Sequence, residues 1–189
     1  MCLYGLPDTV PHKRLLNKMK AYNIGKQAVD WVEDFLGDRK QFVEVNGARS
    51  SWADVTSGIP QGSVLVPLLF VIFINDLPGT VSSPTYLFAD DTKIFRRIKD
   101  EDDHIALQKD LDAMDEWSKT WLLKFHPNKC KFMHMGKDRG PEPNYKLCSH
   151  TLQQTTEEKD IGVLIDDELT FEKHINEKIN KANQMISLI

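Results

Sequence analysis

The sequence predicts an α+β fold in which a mainly antiparallel sheet carries helices on one face. Three observations carry that expectation. Apolar residues recur at helical spacing in several separate stretches. Two other stretches, rich in β-branched and aromatic residues, double back at hairpin signals, and 41% hydrophobic content over 189 residues is enough to bury a core.

Residues 12–23 set Leu15, Leu16 and Met19 on one side of a helix that ends near Gly25. A second helix follows with Ala28, Val29, Val32, Phe35 and Leu36 as its apolar set and Gly37 as its stop. Residues 41–45 alternate as a strand, Asn46-Gly47 signals a type I′ turn, and the return strand runs over residues 52–55. Residues 57–77 read S-G-I-P-Q-G-S-V-L-V-P-L-L-F-V-I-F-I-N-D-L. Gly58 and Gly62 bracket Pro60 and Gln61 in a loop whose backbone can lie close to another backbone or a ligand, and the run beyond predicts a buried helix. Gln61 carries both donor and acceptor where helix N-terminal amides favour phosphate; a plain turn ahead of a core helix accounts for the same residues equally well.

Residues 85–95, T-Y-L-F-A-D-D-T-K-I-F, predict two short strands joined by a tight turn, with Asp90 and Asp91 at its tip and Leu87 or Phe88 anchoring it below. Such a tip suits Mg²⁺, which takes hard oxygen ligands and keeps much of its water. An Asp-Asp pair in a turn is more often a solvated loop, so the pair alone does not establish a site. Residues 103–122 predict a helix with Leu107, Leu111, Met114, Trp117 and Trp121 on one stripe. Residues 129–135 alternate as a strand, residues 136–144 form a surface loop, and residues 151–165 suggest another hairpin. Thr170 caps a last helix on which Ile175, Ile179, Ala182, Ile186 and Ile189 leave an unfinished apolar stripe.

A net charge of -4 excludes a general polyanion trap, so contacts with nucleic acid must use local basic groups, such as Lys93, Arg96, Arg97 and Lys99, or metal ions. Cys2, Cys130 and Cys148 show neither disulfide nor zinc-ribbon spacing, which fits a reducing, intracellular setting, nuclear or cytoplasmic. Cys130 and His134 sit about 13 Å apart on an extended strand at ~3.3 Å per residue, too far for one zinc ion to hold both. The most apolar run, residues 64–74, is broken by Pro67 and falls short of a bilayer span. The start shows no secretory signal.

Taken together, S-G-x-P-Q-G-S, the later F-A-D-D, V-P-H-K-R-L-L at residues 10–16, R-x-Q-x-V-x-V-N-G ending at Gly47, and I-N-D-L-P at residues 74–78 resemble the reverse transcriptase of non-LTR (LINE-type) retrotransposons. Residues 117–131, W-S-K-T-W-L-L-K-F-H-P-N-K-C-K, and residues 160–166, D-I-G-V-L-I-D, are similar to the same family, so the resemblance covers nearly the entire chain.

The resemblance implies a polymerase palm with residual fingers over residues 1–168 and the start of a thumb helix over residues 169–189. Residues 151–165 then resemble the primer-grip region. The implied reaction adds a deoxynucleotide from its triphosphate to a DNA primer on an RNA template, with two Mg²⁺ ions about 3.5 to 4 Å apart. Asp90 is implied as a metal ligand with Asp91 beside it. Pro60, Gln61 and Gly62 are implied to lie by nucleotide and template. Lys129 matches a lysine near the triphosphate in some polymerases, although a solvated lysine is the competing reading.

The chain also departs from the pattern. The family's other metal-binding aspartate stands six residues ahead of the position occupied by Asp8, which falls on Cys2, and a thiol is a poor Mg²⁺ ligand. Pro7 replaces the aromatic residue expected before Asp8, and Val66 stands where the family usually has glycine. The preceding fingers segments and most of the thumb lie outside these residues. The expectation is therefore a reverse transcriptase fragment with an incomplete metal site, inactive as this chain. The alternative is a palm-derived module that binds nucleic acid or protein without catalysis.

Overall fold

A computed structural model describes residues 9–60, 62, 65–136 and 143–187. Cys2, Pro7, Asp8, Gln61, Ile189 and most of the expected loop at 136–144 lie outside them. The described chain mixes five α-helices with short strands, an α+β arrangement.

Helices α1 (His12–Ala21) and α2 (Lys26–Leu36) form where the apolar spacing predicts. They bury Leu15, Leu16 and Met19 against Val29, Val32 and Leu36. Strands β1 (Lys40–Gln41), β2 (Glu44–Val45), β3 (Ala48–Arg49) and β4 (Ala53–Asp54) make one interrupted hairpin, β2 pairing β3 and β1 pairing β4. Its turn has Asn46 at φ 51° and Gly47 at φ 81°, the left-handed pair that a type I′ turn requires.

Helix α3 (Leu65–Ile74) accepts Pro67 in its first turn, where a missing N–H breaks no helical bond. The helix is not wholly buried as its composition predicts. Leu69, Phe70, Phe73 and Ile74 enter the core, whereas Leu68 and Val71 are more than half exposed. A short 3₁₀ turn at Leu77–Thr80 leads to β5 (Thr85–Phe88) and β6 (Asp91–Ile94), and then to α4 (Glu101–Trp121). Asp100 caps α4 by accepting from the Asp103 N–H at 3.2 Å. The expected stripe on α4 holds: Leu111, Met114 and Trp117 are buried, with Leu107 and Trp121 packed at its margin.

The strand expected over residues 129–135 is shorter than its alternation suggests. Pro127–Lys129 is a 3₁₀ turn, and only β7 (Lys131–Phe132) pairs, in parallel with β10 (Gln153–Gln154). Strands β8 (Lys146–Leu147) and β9 (His150–Thr151) form one hairpin, and β11 (Glu157–Asp160) and β12 (Val163–Asp166) another, within the span predicted to turn back. Among the described residues all ladders are two-stranded and all but β7–β10 are antiparallel, so no continuous sheet joins them.

Helix α5 (Glu172–Ile186) ends the description. Its start is fixed less by Thr170 than by Asp166, whose carboxylate accepts from the N–H groups of Glu168, Thr170 and Phe171. Nothing on α5 is buried; Ile175 and Ile179 are about half exposed, which bears out the unfinished stripe.

One polar cluster ties the core together. Lys18 of α1 is 3% exposed and donates to the Phe73 carbonyl at 2.6 Å and to Asp76 at 2.5 Å. Asp76 also accepts from Trp117 Nε1 at 3.0 Å, and the ammonium lies 3.8 Å from the Trp121 ring centre. The residues thus joined come from α1, the end of α3, and α4.

Candidate active site

Of the acidic pair, Asp90 lies in the expected tight turn and Asp91 opens the returning strand. β5 and β6 pair from Thr85↔Ile94 to Phe88↔Asp91, leaving Ala89 and Asp90 as a two-residue loop. Ala89 takes φ 50°, a left-handed conformation that costs a residue with a Cβ about 1–2 kcal/mol. Alternation along the strands turns Thr85, Leu87, Thr92 and Ile94 inward, and Tyr86 and Phe88 outward. Leu87 is therefore the anchor, and Phe88, 56% exposed, is not. Asp90 is half-buried and Asp91 exposed.

The root of this hairpin is held by α4. Asp110, nearly buried, accepts from the Ser82 N–H at 2.7 Å, the Ser83 N–H at 3.1 Å and the Ser83 hydroxyl at 2.5 Å. Arg96, just past β6, donates to both serine hydroxyls, at 3.2 and 3.0 Å, and lies 3.6 Å from Asp110. Burial pushes the Asp110 carboxyl up, but the bonds from Ser83 and Ser82 outweigh it and hold the group below the ordinary carboxylate range. Halfway along β6, Lys93 forms an ion pair with Asp160 of β11. In sequence Arg96 and Lys93 stand only as local basic groups; their partners, 14 and 67 residues away, appear in the structure.

A cleft of about 1460 Å³ opens between β6, α4, β7 and β11. Asp91 and Lys129 both line it. Its described lining carries seven lysines and arginines against four carboxylates, which gathers positive charge locally in a chain of net charge -4. Asp90, Pro60 and Gly62 are not among the residues that line it. Two carboxylates on consecutive residues offer hard oxygen donors for one Mg²⁺ that keeps most of its water. No group of three or more His, Cys, Asp or Glu gathers as a metal shell among the described residues.

The Pro60 loop is tied elsewhere. The Gly58 N–H donates to the Val10 carbonyl at 2.9 Å, His12 Nε2 donates to the Gly58 carbonyl at 2.7 Å, and Pro11 bridges Ser57. The V-P-H and S-G-x-P stretches, far apart in sequence, are thus stitched edge to edge. Gly62 has φ 86°, and a Cβ there would meet nothing within 4 Å, so the glycine serves the turn and not a close approach.

Comparison with known proteins shows the family. Residues 6–182 match the family described as reverse transcriptase (RNA-dependent DNA polymerase). The chain is 32% identical to the RNA-directed DNA polymerase from mobile element jockey of Drosophila funebris, over 95% of this chain and 21% of that protein. The Drosophila melanogaster jockey polymerase is also 32% identical, over 89% of this chain and 19% of that protein. A probable RNA-directed DNA polymerase from transposon X-element of Drosophila melanogaster is 30% identical, over 77% and 17% respectively. The chain spans about a fifth of the length of the curated relatives it matches. With F-A-D-D at a hairpin tip and the flanking motifs in order, the chain belongs to the reverse transcriptase (RNA-dependent DNA polymerase) family, as a fragment of the non-LTR retrotransposon type.

Proposed function

We propose that this chain is the palm of an RNA-directed DNA polymerase, over residues 1–168 with partial fingers, and that residues 169–189 begin the thumb. The observation that carries the reading is the shared cleft: Asp91 at the acidic tip and Lys129 open onto one basic surface. In this reading Asp90 and Asp91 hold a divalent cation. A magnesium ion there supplies Lewis-acid stabilisation of phosphate oxygens. Lys129, with Arg97 and Lys99, offsets phosphate charge along an RNA template and DNA primer. Pro60, Gln61 and Gly62 are assigned to the incoming deoxynucleoside triphosphate by their motif alone, and the β11–β12 hairpin supports the primer. The reaction belongs inside the cell, in nucleus or cytoplasm.

In this chain the upstream ligand position falls on Cys2, whose thiol is a poor Mg²⁺ ligand. The reading is therefore nucleic-acid binding with extension lost. Loss of a ligand from a charge-stabilising site costs several kcal/mol in the transition state. The test is primer extension on an RNA template with Mg²⁺, run beside duplex binding at several salt concentrations. The expected result is salt-dependent binding, weakened by Lys129→Ala or Arg97→Ala, without incorporation. Incorporation that Asp90→Asn abolishes would overturn the inactivity; no binding at low salt would remove the nucleic-acid reading.

A further inference from the structure

The acidic tip is the far end of a lever. Among the described residues β5 and β6 pair only with each other, and a lone two-stranded hairpin is marginally stable in water, so its aim is set from outside the ladder. Beyond the last pair, the Phe95 N–H closes onto the Pro84 carbonyl at 3.0 Å. Immediately below that, both legs converge on one carboxylate. Ser82 and Ser83 on the leg before β5 give Asp110 their N–H groups and hydroxyls, and Arg96 on the leg after β6 donates to the same two hydroxyls. Asp110 is 5% exposed and rides on α4, a long helix whose buried stripe fixes it in the core.

From Ser83 to Phe88 the leg runs about 16 Å at ~3.3 Å per residue. A tilt of about 2° at the root then moves the tip by roughly half an ångström, the tolerance within which a functional constellation must be held. We infer that Asp110 is a positioning residue: by clamping both legs of the hairpin to α4 it holds Asp90 and Asp91 in the orientation that a divalent cation needs. The inference rests on the reading that the tip holds such a cation.

The full chain, labelled with ¹⁵N, is titrated with Mn²⁺ while paramagnetic broadening is followed at the amides of residues 89–92. Amide hydrogen exchange is measured without the ion. In the wild type broadening begins at the tip. Asp110→Asn keeps the size and one oxygen but loses the charge that faces Arg96. It is expected to weaken Mn²⁺ at least tenfold and to speed exchange across residues 85–94 at least tenfold, with α3 and α4 unchanged. Ser83→Ala spares the carboxylate and should move both readouts the same way by less, and it decides the matter should Asp110→Asn fail to fold. Wild-type Mn²⁺ affinity in the folded variants overturns the positioning role and leaves the metal reading standing. No broadening in the wild type overturns both. Equal acceleration of exchange throughout the chain makes Asp110 a general fold contact and overturns the inference.

Discussion

Lys18 sets two physical effects against each other, and pH decides between them. Its ammonium is almost fully buried, which disfavours the charged form; Asp76 at 2.5 Å favours it. Burial prevails and pushes the group from its ordinary 10.5 down to about 8. The unfolded chain then binds more protons than the folded one above neutrality, so stability rises with pH. The ionised lysine costs the fold about 3 kcal/mol at pH 7, and about 2 kcal/mol of that is recovered by pH 9.5. Three aromatic rings pull the other way: the ammonium lies 4.8 Å from the Phe73 and Trp117 ring centres and 3.8 Å from that of Trp121. Each favours the cation by about 0.5–2 kcal/mol. The assay is urea unfolding followed by tryptophan fluorescence at pH 7 and 9.5, on wild type and Lys18→Met. Titration of the other groups cancels in the difference, and Asp76 in the variant keeps its bond from Trp117. The wild type should gain about 2 kcal/mol relative to the variant over that interval. A flat difference, or one in which the wild type loses stability, would show that the rings and the ion pair outweigh burial, and the reasoning would fail.

Three further outcomes follow from single features. The Thr92 side chain is fully buried with no hydrogen-bond partner for its hydroxyl among the described residues, so Thr92→Val should stabilise the chain by about 1 kcal/mol in urea unfolding; a loss would mean that the group is satisfied in solution. Ala89→Gly removes the Cβ from a left-handed position and should raise stability by up to about 1 kcal/mol, read as a rise in melting temperature; a fall would mean that the strain is absent in solution. On α5, where nothing is buried, Ile179→Glu should change stability by less than about 0.5 kcal/mol, against about 3–5 kcal/mol for Phe73→Ala in the core. Amide exchange on α5 as slow as in β5 and β6 would contradict that ranking.

The sequence was most legible where one local rule decided the structure. Asn46-Gly47 demanded two left-handed residues and has them; the stripe from Leu111 to Trp117 demanded a core and meets one. It was least legible where the answer lay in a distant partner. Alternation over residues 129–135 suggested a full strand, but pairing needs a neighbour, and β10 reaches only Lys131 and Phe132. Composition made α3 a buried helix, yet burial depends on what packs outside it, and Leu68 and Val71 stay open. At the site, the position of Asp90 and Asp91 followed from hairpin chemistry, whereas the shared cleft of Asp91 and Lys129 did not. Asp110 carried no signal at all: an aspartate on a helix reads as solvated until Ser82, Ser83 and Arg96 are brought against it.

The same division separates the acidic tip from the core. The buried cluster runs through α1, α2, α3 and α4, and neither Asp90, Asp91 nor Lys129 belongs to it. Asp91 is exposed and lies outside that cluster, so replacing it should change stability little. The buried polar groups behave differently. Asp110 and Lys18 are buried and multiply bonded, and losing either leaves polar partners stranded in the core, at about 1–3 kcal/mol for each uncharged group. If the tip holds a cation as proposed, substitutions at Asp91 should register in Mn²⁺ affinity before they register in stability, whereas substitutions at Asp110 should register in both. Measuring the two quantities on one set of variants would separate residues that contact the ion from those that hold the hairpin in place.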